Sequence, residues 1–189
     1  MVKSKNDLNS CILLDKIHYE EIIGYKKYRH HLVTDPIADQ WYIWKYIKTM
    51  RYCEYHINND GIIHTLKKIW YLHKLRKLSR ITGFQIPPNT IGAGLTIWHW
   101  GPIIINPKAR LGEQCTINPM VIIGHKHPGE GAPQLGKNVF VGGGAKIIGD
   151  IVIGDDVIIA PNAVVVNNIP SGKVVAGIPG RIIKDNTIG

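Results

Sequence analysis

From Ile91 onward the sequence advances in steps of six. The hexads begin at Ile91 (IGAGLT), Ile105 (INPKAR), Leu111 (LGEQCT) and Ile117 (INPMVI), then, after an interruption, at Leu135 (LGKNVF), Val141 (VGGGAK), Ile147 (IIGDIV), Ile153 (IGDDVI), Ile159 (IAPNAV) and Val165 (VVNNIP). The first position is always Ile, Leu or Val, and the second is usually small or Asn. The fifth is small or apolar: Leu95, Ala109, Cys115, Val121, Val139, Ala145, Ile151, Val157 and Ala163. A unit this short cannot bury its own apolar face. Stacked copies can, so the chain must wind into a solenoid with aliphatic ladders inside. The small second residue suits a corner, where the backbone bends and layers crowd. The handedness of the coil does not follow from the period.

Two stretches break the repeat. Ile97-Trp98-His99-Trp100-Gly101-Pro102 inserts extra residues before Ile105, and Gly124 to Gln134 (GHKHPGEGAPQ) leaves the solenoid as a loop. Irregular segments on a rigid scaffold are where binding and chemistry concentrate. His99, His125 and His127 are therefore the candidate proton-transfer groups, because imidazole titrates near neutral pH.

Residues 1–84 read differently. Asp35-Pro36 has the chemistry of a helix start, and the stretch after it carries Trp41, Trp44, Tyr46 or Ile47, and Met50 or Tyr52 at helical spacing. Asn58-Asn59-Asp60-Gly61 breaks that helix. A second helix follows with Ile62, Leu66, Ile69, Trp70 and Leu78 as its apolar residues and a stop at Thr82-Gly83. A shorter helix is expected around Tyr19 to His31. The aromatic pattern of residues 41–71 reads as core. The division expected is a helical region, 1–84, and a β-solenoid domain with a C-terminal tail, 85–189.

The charge is as uneven as the pattern. Residues 1–84 hold 15 Lys/Arg against 8 Asp/Glu, and residues 85–189 hold 8 against 6. No recognised motif accompanies this basic half, so a nucleic-acid module is not expected. Peripheral contact with an anionic membrane is compatible with it, but nothing in the sequence supports it. Cys11, Cys53 and Cys115 lack metal-ligand spacing and pair into no framework. With no run of about 18 apolar residues and no signal-peptide core, the expected location is the cytoplasm.

The stretches IGAGLTIWHWGPIIINPKARLG, PQLGKNVFVGGGAKIIGDIVIGDDVIIAPNAVV and VVAGIPGRIIK, in that order, resemble the hexapeptide-repeat acyltransferases, and within them the serine acetyltransferase-like branch. The resemblance covers residues 83 to 184. It implies a mainly β fold, a left-handed parallel β-helix, assembled as a homotrimer with acetyl-CoA in a groove between neighbouring solenoids. It implies His99 as general base on an acceptor hydroxyl, with backbone N–H groups steadying the oxyanion. Gly142, Gly143, Gly144, Ala145, Ala160, Ala176 and Gly177 would line the path of the pantetheine arm. Lys173, Arg181 and Lys184 would meet the CoA phosphates as cations. No metal is expected.

Against the family pattern, Trp98 stands where an Asp precedes the base, Gln85 where an Asp orients it, and Gly131-Ala132-Pro133 where the family has Arg-His-Pro. The Asp before the base and the Arg help hold an amino acid. Trp98 and Trp100, flanking the base, suit a sugar ring. The expected acceptor is therefore a sugar hydroxyl of a capsular or other surface polysaccharide. The alternatives are serine, as in cysteine biosynthesis, and a non-catalytic scaffold. His127-Pro128 is similar to the His-Pro of sugar acetyltransferases in the same superfamily.

Overall fold

In the computed structural model of the chain, residues 2–23 and 40–187 are described. Among the described residues, three helices come first: α1 (Lys5–Ile23), α2 (Gln40–Ile57) and α3 (Ile62–Thr82). Fourteen short strands follow and form three faces of a prism. The first face stacks β1 (Phe84–Gln85), β3 (Ile103–Ile105), β6 (Ile122–Gly124), β9 (Lys146–Ile148) and β12 (Val164–Val165). The second stacks β4 (Arg110–Leu111), β7 (Gln134–Leu135) and β10 (Val152–Ile153), and bridges at Ile91 and Ile169 extend it. The third stacks β2 (Thr96–Ile97), β5 (Thr116–Ile117), β8 (Phe140–Val141), β11 (Ile158–Ile159) and β13 (Lys173–Ala176), with β14 (Arg181–Asp185) folded back antiparallel on β13. All other pairings are parallel. The architecture is a left-handed parallel β-helix behind an α-helical region.

The hexad explains the register. Ile97, Ile117, Val141, Ile159 and Val175 stand opposite one another down the third face, and Ile105, Ile123, Ile147 and Val165 down the first. Every first- and fifth-position residue named above is buried. The fourth position is the turn. Gln114, Met120, Asn138, Asp156 and Asn162 adopt φ between 53° and 67°, and Gly94 and Gly144 have φ of 79° and 75°. Asn, Asp and Gly enter this left-handed region at least cost.

An open solenoid end exposes its apolar interior and needs a cap. Here α2 supplies it: Ile43, Trp44, Tyr46, Ile47 and Met50 join the same core cluster as Phe84, Leu95 and Ile97. Tyr46 Oη donates to the Ile86 carbonyl at 3.1 Å. A buried ionic knot fixes the cap. Arg51 Nε donates to Asp15 Oδ2 of α1 at 2.7 Å, Nη1 to Glu54 Oε2 at 3.1 Å and to the Ile91 carbonyl at 2.9 Å, and Nη2 to the Gly92 carbonyl at 2.6 Å. Asp15 Oδ1 in turn accepts from the Gly94 and Leu95 N–H groups at 2.7 and 3.1 Å. The two carboxylates hold the Arg51 guanidinium in its charged form despite its burial.

Two helix expectations change. The first helix spans Lys5–Ile23 rather than beginning near Tyr19, and residues 24–31 of the expected segment lie outside the described residues, as does Asp35-Pro36. The break at Asn58–Gly61 and the stop at Gly83 are found. Gly83 has φ 80° and its N–H caps the Ser79 carbonyl at 2.9 Å. Trp44 and Tyr46 are core, but Ile62, Leu66, Ile69 and Trp70 are exposed. The first half of α3 packs on α2 through His64 and Tyr71 instead, with Tyr71 stacked on Tyr52 and His56. Among the described residues, no helix is long and apolar enough to cross a membrane.

Candidate active site

The candidate site lies on one edge of the prism. At every turn the chain passes from the third face to the first. These corners stack as residues 98–102, 118–121, 142–145 and 160–163, and the hairpin turn between β13 and β14, residues 177–180, sits beneath the last of them. His99 is thus at the head of a line that continues down through Gly142–Gly144, Ala160, Ala176 and Gly177. Residues far apart in sequence fall on one edge because the repeat returns the chain to the same corner.

His99 sits on an exposed bend between β2 and β3. The main chain on both sides of it is held. The Trp98 carbonyl accepts from Gln40 Nε2 of α2, and the Gly101 N–H donates to the Thr82 carbonyl at 2.8 Å. The Pro102 carbonyl accepts from the Met120 N–H of the next corner at 2.6 Å. Gly101 has φ 138°, and a Cβ there would lie 3.1 Å from the Pro119 ring. The flanking tryptophans are not a pair of open faces. Trp98 is half-buried, and Trp100 lies against Tyr42 with ring centroids 5.9 Å apart. Gln40 and Tyr42 are absent from the sequence reading. Only the fold brings them here, since Gln40 is 58 residues from Trp98 along the chain.

Below His99, Gly143 is half-exposed while Gly142 and Gly144 are buried. A Cβ on Gly142 would lie 2.5 Å from the Pro161 nitrogen, and one on Gly144 2.1 Å from Asn162 Oδ1. A Cβ on Gly143 would meet nothing nearer than the Pro119 carbonyl oxygen at 3.5 Å. The Gly144 and Asn162 N–H groups donate up the edge to the Pro119 and Gly143 carbonyls, both at 2.9 Å. Ala160 and Ala176 are half-buried and Gly177 is exposed along the same line. Ala145 differs: its methyl is buried in the ladder and does not reach the surface. Lys146, which the sequence reading also missed, directs Nζ back to the Gly144 carbonyl at 2.6 Å.

The other candidates lie elsewhere. Gln85 is exposed on the first face, opposite Ile104, in a groove of about 400 Å³ beside α3 that His99 does not line. His125 and His127 are exposed in the loop between β6 and β7, at the corner of the first and second faces. Within one chain they are on a different edge from His99. Asn106 Nδ2 lies 2.5 Å from His125 Nδ1, and Glu130 Oε2 accepts from the His127 N–H at 3.1 Å. Lys173 is ion-paired with Asp185 across the terminal hairpin, whereas Arg181 and Lys184 are exposed on β14. Among the described residues, no group of three or more His, Cys, Asp or Glu is placed to hold a metal.

Comparison with known proteins bears on the fold and the family. Residues 132–167 match the family of bacterial transferase hexapeptide repeats (six repeats). That makes the solenoid a hexapeptide-repeat transferase fold. The chain is 42% identical over 113 residues to a serine acetyltransferase of Synechococcus elongatus, covering 58% of this chain and 46% of that one. It is 38% identical over 129 residues to a serine acetyltransferase of Helicobacter pylori, covering 65% of this chain and 75% of that one. It therefore belongs to the serine acetyltransferase family, although it spans less than half of the Synechococcus protein. A solved serine acetyltransferase in complex with CoA has the same fold, with a TM-score of 0.67 and 24% identity over 95% of this chain and 70% of that one.

These relatives overturn the expectation of a polysaccharide acceptor. The reason for the misreading is structural. Two tryptophans beside a histidine look like a sugar platform in the sequence, but Trp98 is half-buried with its carbonyl tied to α2, and Trp100 packs one side against Tyr42 while 40% of it stays exposed.

Proposed function

We propose that the chain transfers an acetyl group from acetyl-CoA to the hydroxyl of serine, with His99 as general base. The membership of the serine acetyltransferase family carries this reading. The stacked edge supports it, since it sets one exposed imidazole above a line of small residues. A hydroxyl is a weak nucleophile at neutral pH, and a positioned imidazole can take its proton as the oxygen attacks the thioester carbonyl. The tetrahedral intermediate then collapses, expelling CoA thiolate, and no covalent enzyme intermediate is required.

In this reading the pantetheine arm runs down the edge over Gly143, Ala160, Ala176 and Gly177. Arg181 and Lys184 meet the phosphates, and Lys173 joins them after releasing Asp185. Trp98 and Trp100 wall the acceptor side. Gln85, His125 and His127 are secondary. The base and the excursion loop occupy different edges of one solenoid, so a site that uses both is shared between copies. A homotrimer supplies that. Catalysis belongs to residues 85–189 and the cap to residues 1–84, and the enzyme works in the cytoplasm.

The test is CoA release from acetyl-CoA on addition of L-serine. His99→Ala is expected to lose activity on the order of 10²- to 10⁴-fold while the assembly persists. Turnover that survives in that variant, or a wild-type chain inert toward L-serine, refutes the reading.

A further inference from the structure

The structure assigns α3 a surface function separate from the active edge. We propose that its outer face docks the chain on an anionic lipid bilayer.

The helix has six Lys/Arg and no Asp or Glu over Ile62–Thr82, and the nearest acidic residue in sequence is Asp60, before its start. Its inner face is settled by contacts. His64 and Tyr71 pack on α2, and Leu75, Leu78 and Thr82 are buried. The residues opposite are exposed, and they are not polar. Ile62 is 82% exposed, Ile63 67%, Leu66 63%, Ile69 59% and Trp70 53%. These apolar groups crowd the first turns of the helix. Farther along the same outward side come the exposed cations Arg76, Lys77 and Arg80. Lys74 lays its Nζ over the Trp70 ring at 3.9 Å.

Scattered apolar residues on a surface need no explanation, but a contiguous stripe marks an interaction site. What it fits is decided by the charge around it. A protein partner of ordinary composition would leave the outward cations Arg76, Lys77 and Arg80 without counter-charges. A bilayer rich in anionic headgroups supplies many negative charges in one plane, with hydrocarbon directly beneath for Ile62, Leu66 and Ile69. Trp at the boundary and Lys or Arg beside it are the residues that settle at such an interface. A helix bearing both attractions lies in the headgroup layer without crossing it.

The experiment is co-sedimentation of the full chain with vesicles of phosphatidylcholine alone and of phosphatidylcholine mixed with phosphatidylglycerol. Binding is expected to the mixed vesicles only, weakening as salt is raised. Leu66→Glu combined with Ile69→Glu should abolish it. Lys77→Gln combined with Arg80→Gln should weaken it by about fivefold per cation removed. All four positions are exposed, and an unchanged thermal melt confirms that the variants fold. Three results each overturn the proposal: no binding to the mixed vesicles at low salt, equal binding to both vesicle types, or binding that survives Leu66→Glu with Ile69→Glu. So does self-association that is lost in that variant without vesicle binding, because a second copy then covers the face. None of these readouts depends on acetyl transfer, so they stand apart from the proposed activity.

Discussion

Adjacent glycines on the active edge separate the demands of the fold from those of the donor. At Gly142 an added Cβ would lie 2.5 Å from the Pro161 nitrogen and 2.8 Å from the Ala160 carbonyl carbon. Both are backbone atoms of the next coil and neither can swing aside. Gly142→Ala therefore overpacks the stack, at about 1–3 kcal/mol, which for a chain of this size lowers the melting temperature by roughly 2–12 °C. At Gly143 the nearest atoms to a Cβ would be Pro119 O at 3.5 Å and Asn118 Cβ at 3.9 Å, ordinary contacts, and the residue is not in the left-handed region. Gly143→Ala should keep the melting temperature or raise it slightly, since it restricts the unfolded chain by about 0.4–1 kcal/mol. The methyl projects onto the half-exposed edge along which the pantetheine arm is proposed to run. A steric intrusion of about 1–3 kcal/mol there corresponds to roughly a fivefold to hundredfold rise in KM for acetyl-CoA. The assay is thermal unfolding beside CoA release at varied acetyl-CoA. An unchanged KM in a stable Gly143→Ala protein would remove the donor from this edge. An unchanged melting temperature in Gly142→Ala would refute the close packing.

Three further outcomes follow from the cap and the core. Asp15→Ala leaves Arg51 with one carboxylate and the Gly94 and Leu95 N–H groups without their acceptor, so stability should fall by about 3–5 kcal/mol; a melting temperature within a degree of wild type refutes the knot's role. Burial pushes the Cys11 and Cys53 thiols up to about 12 and Cys115 up to about 11. A disulfide reagent at mildly alkaline pH should therefore label the native chain slowly and all three thiols quickly once it is unfolded, and fast native labelling contradicts this. Burial, then His64, then Lys67 lower the pKa of His56, so its neutral form is favoured in the folded state. Its contribution is present above the unfolded value of about 6.5 and is lost as pH falls through the folded one. His56→Gln should flatten the decline of melting temperature on the acid side, and an unaltered decline excludes His56 as its source.

The solenoid was legible because each ladder needs an aliphatic residue at a fixed interval, and Ile91 to Val165 supply one. The fourth position was equally readable, through Asn138, Asp156, Asn162 and the glycines, but a sequence reading that tracks only burial overlooks it. His99 stood out because it interrupts the period. Gln40 and Tyr42 did not, since no local pattern signals a contact made across the boundary between the helices and the coil. The stripe on α3 shows a related limit. Spacing says that Ile62, Leu66 and Ile69 share a side of a helix, but not whether anything covers that side. Ala145 is the converse case. Its place in VGGGAK suggested the cofactor path, while the fifth-position rule already assigned it to the ladder where it is found.

The prism geometry also constrains how the proposed activity depends on dilution. His99 lies where the third face meets the first, and His125 and His127 lie where the first meets the second. The whole width of the first face separates them in any one chain, and the aliphatic ladders beneath make that face rigid. The loop leaves from the far corner of that face, away from its own chain's His99. If loop and base act on the same acceptor, they must come from different copies, and activity per chain must fall on dilution below the assembly's dissociation constant. If activity per chain is constant across that range, the loop histidines take no part, and His99 with its own edge is sufficient.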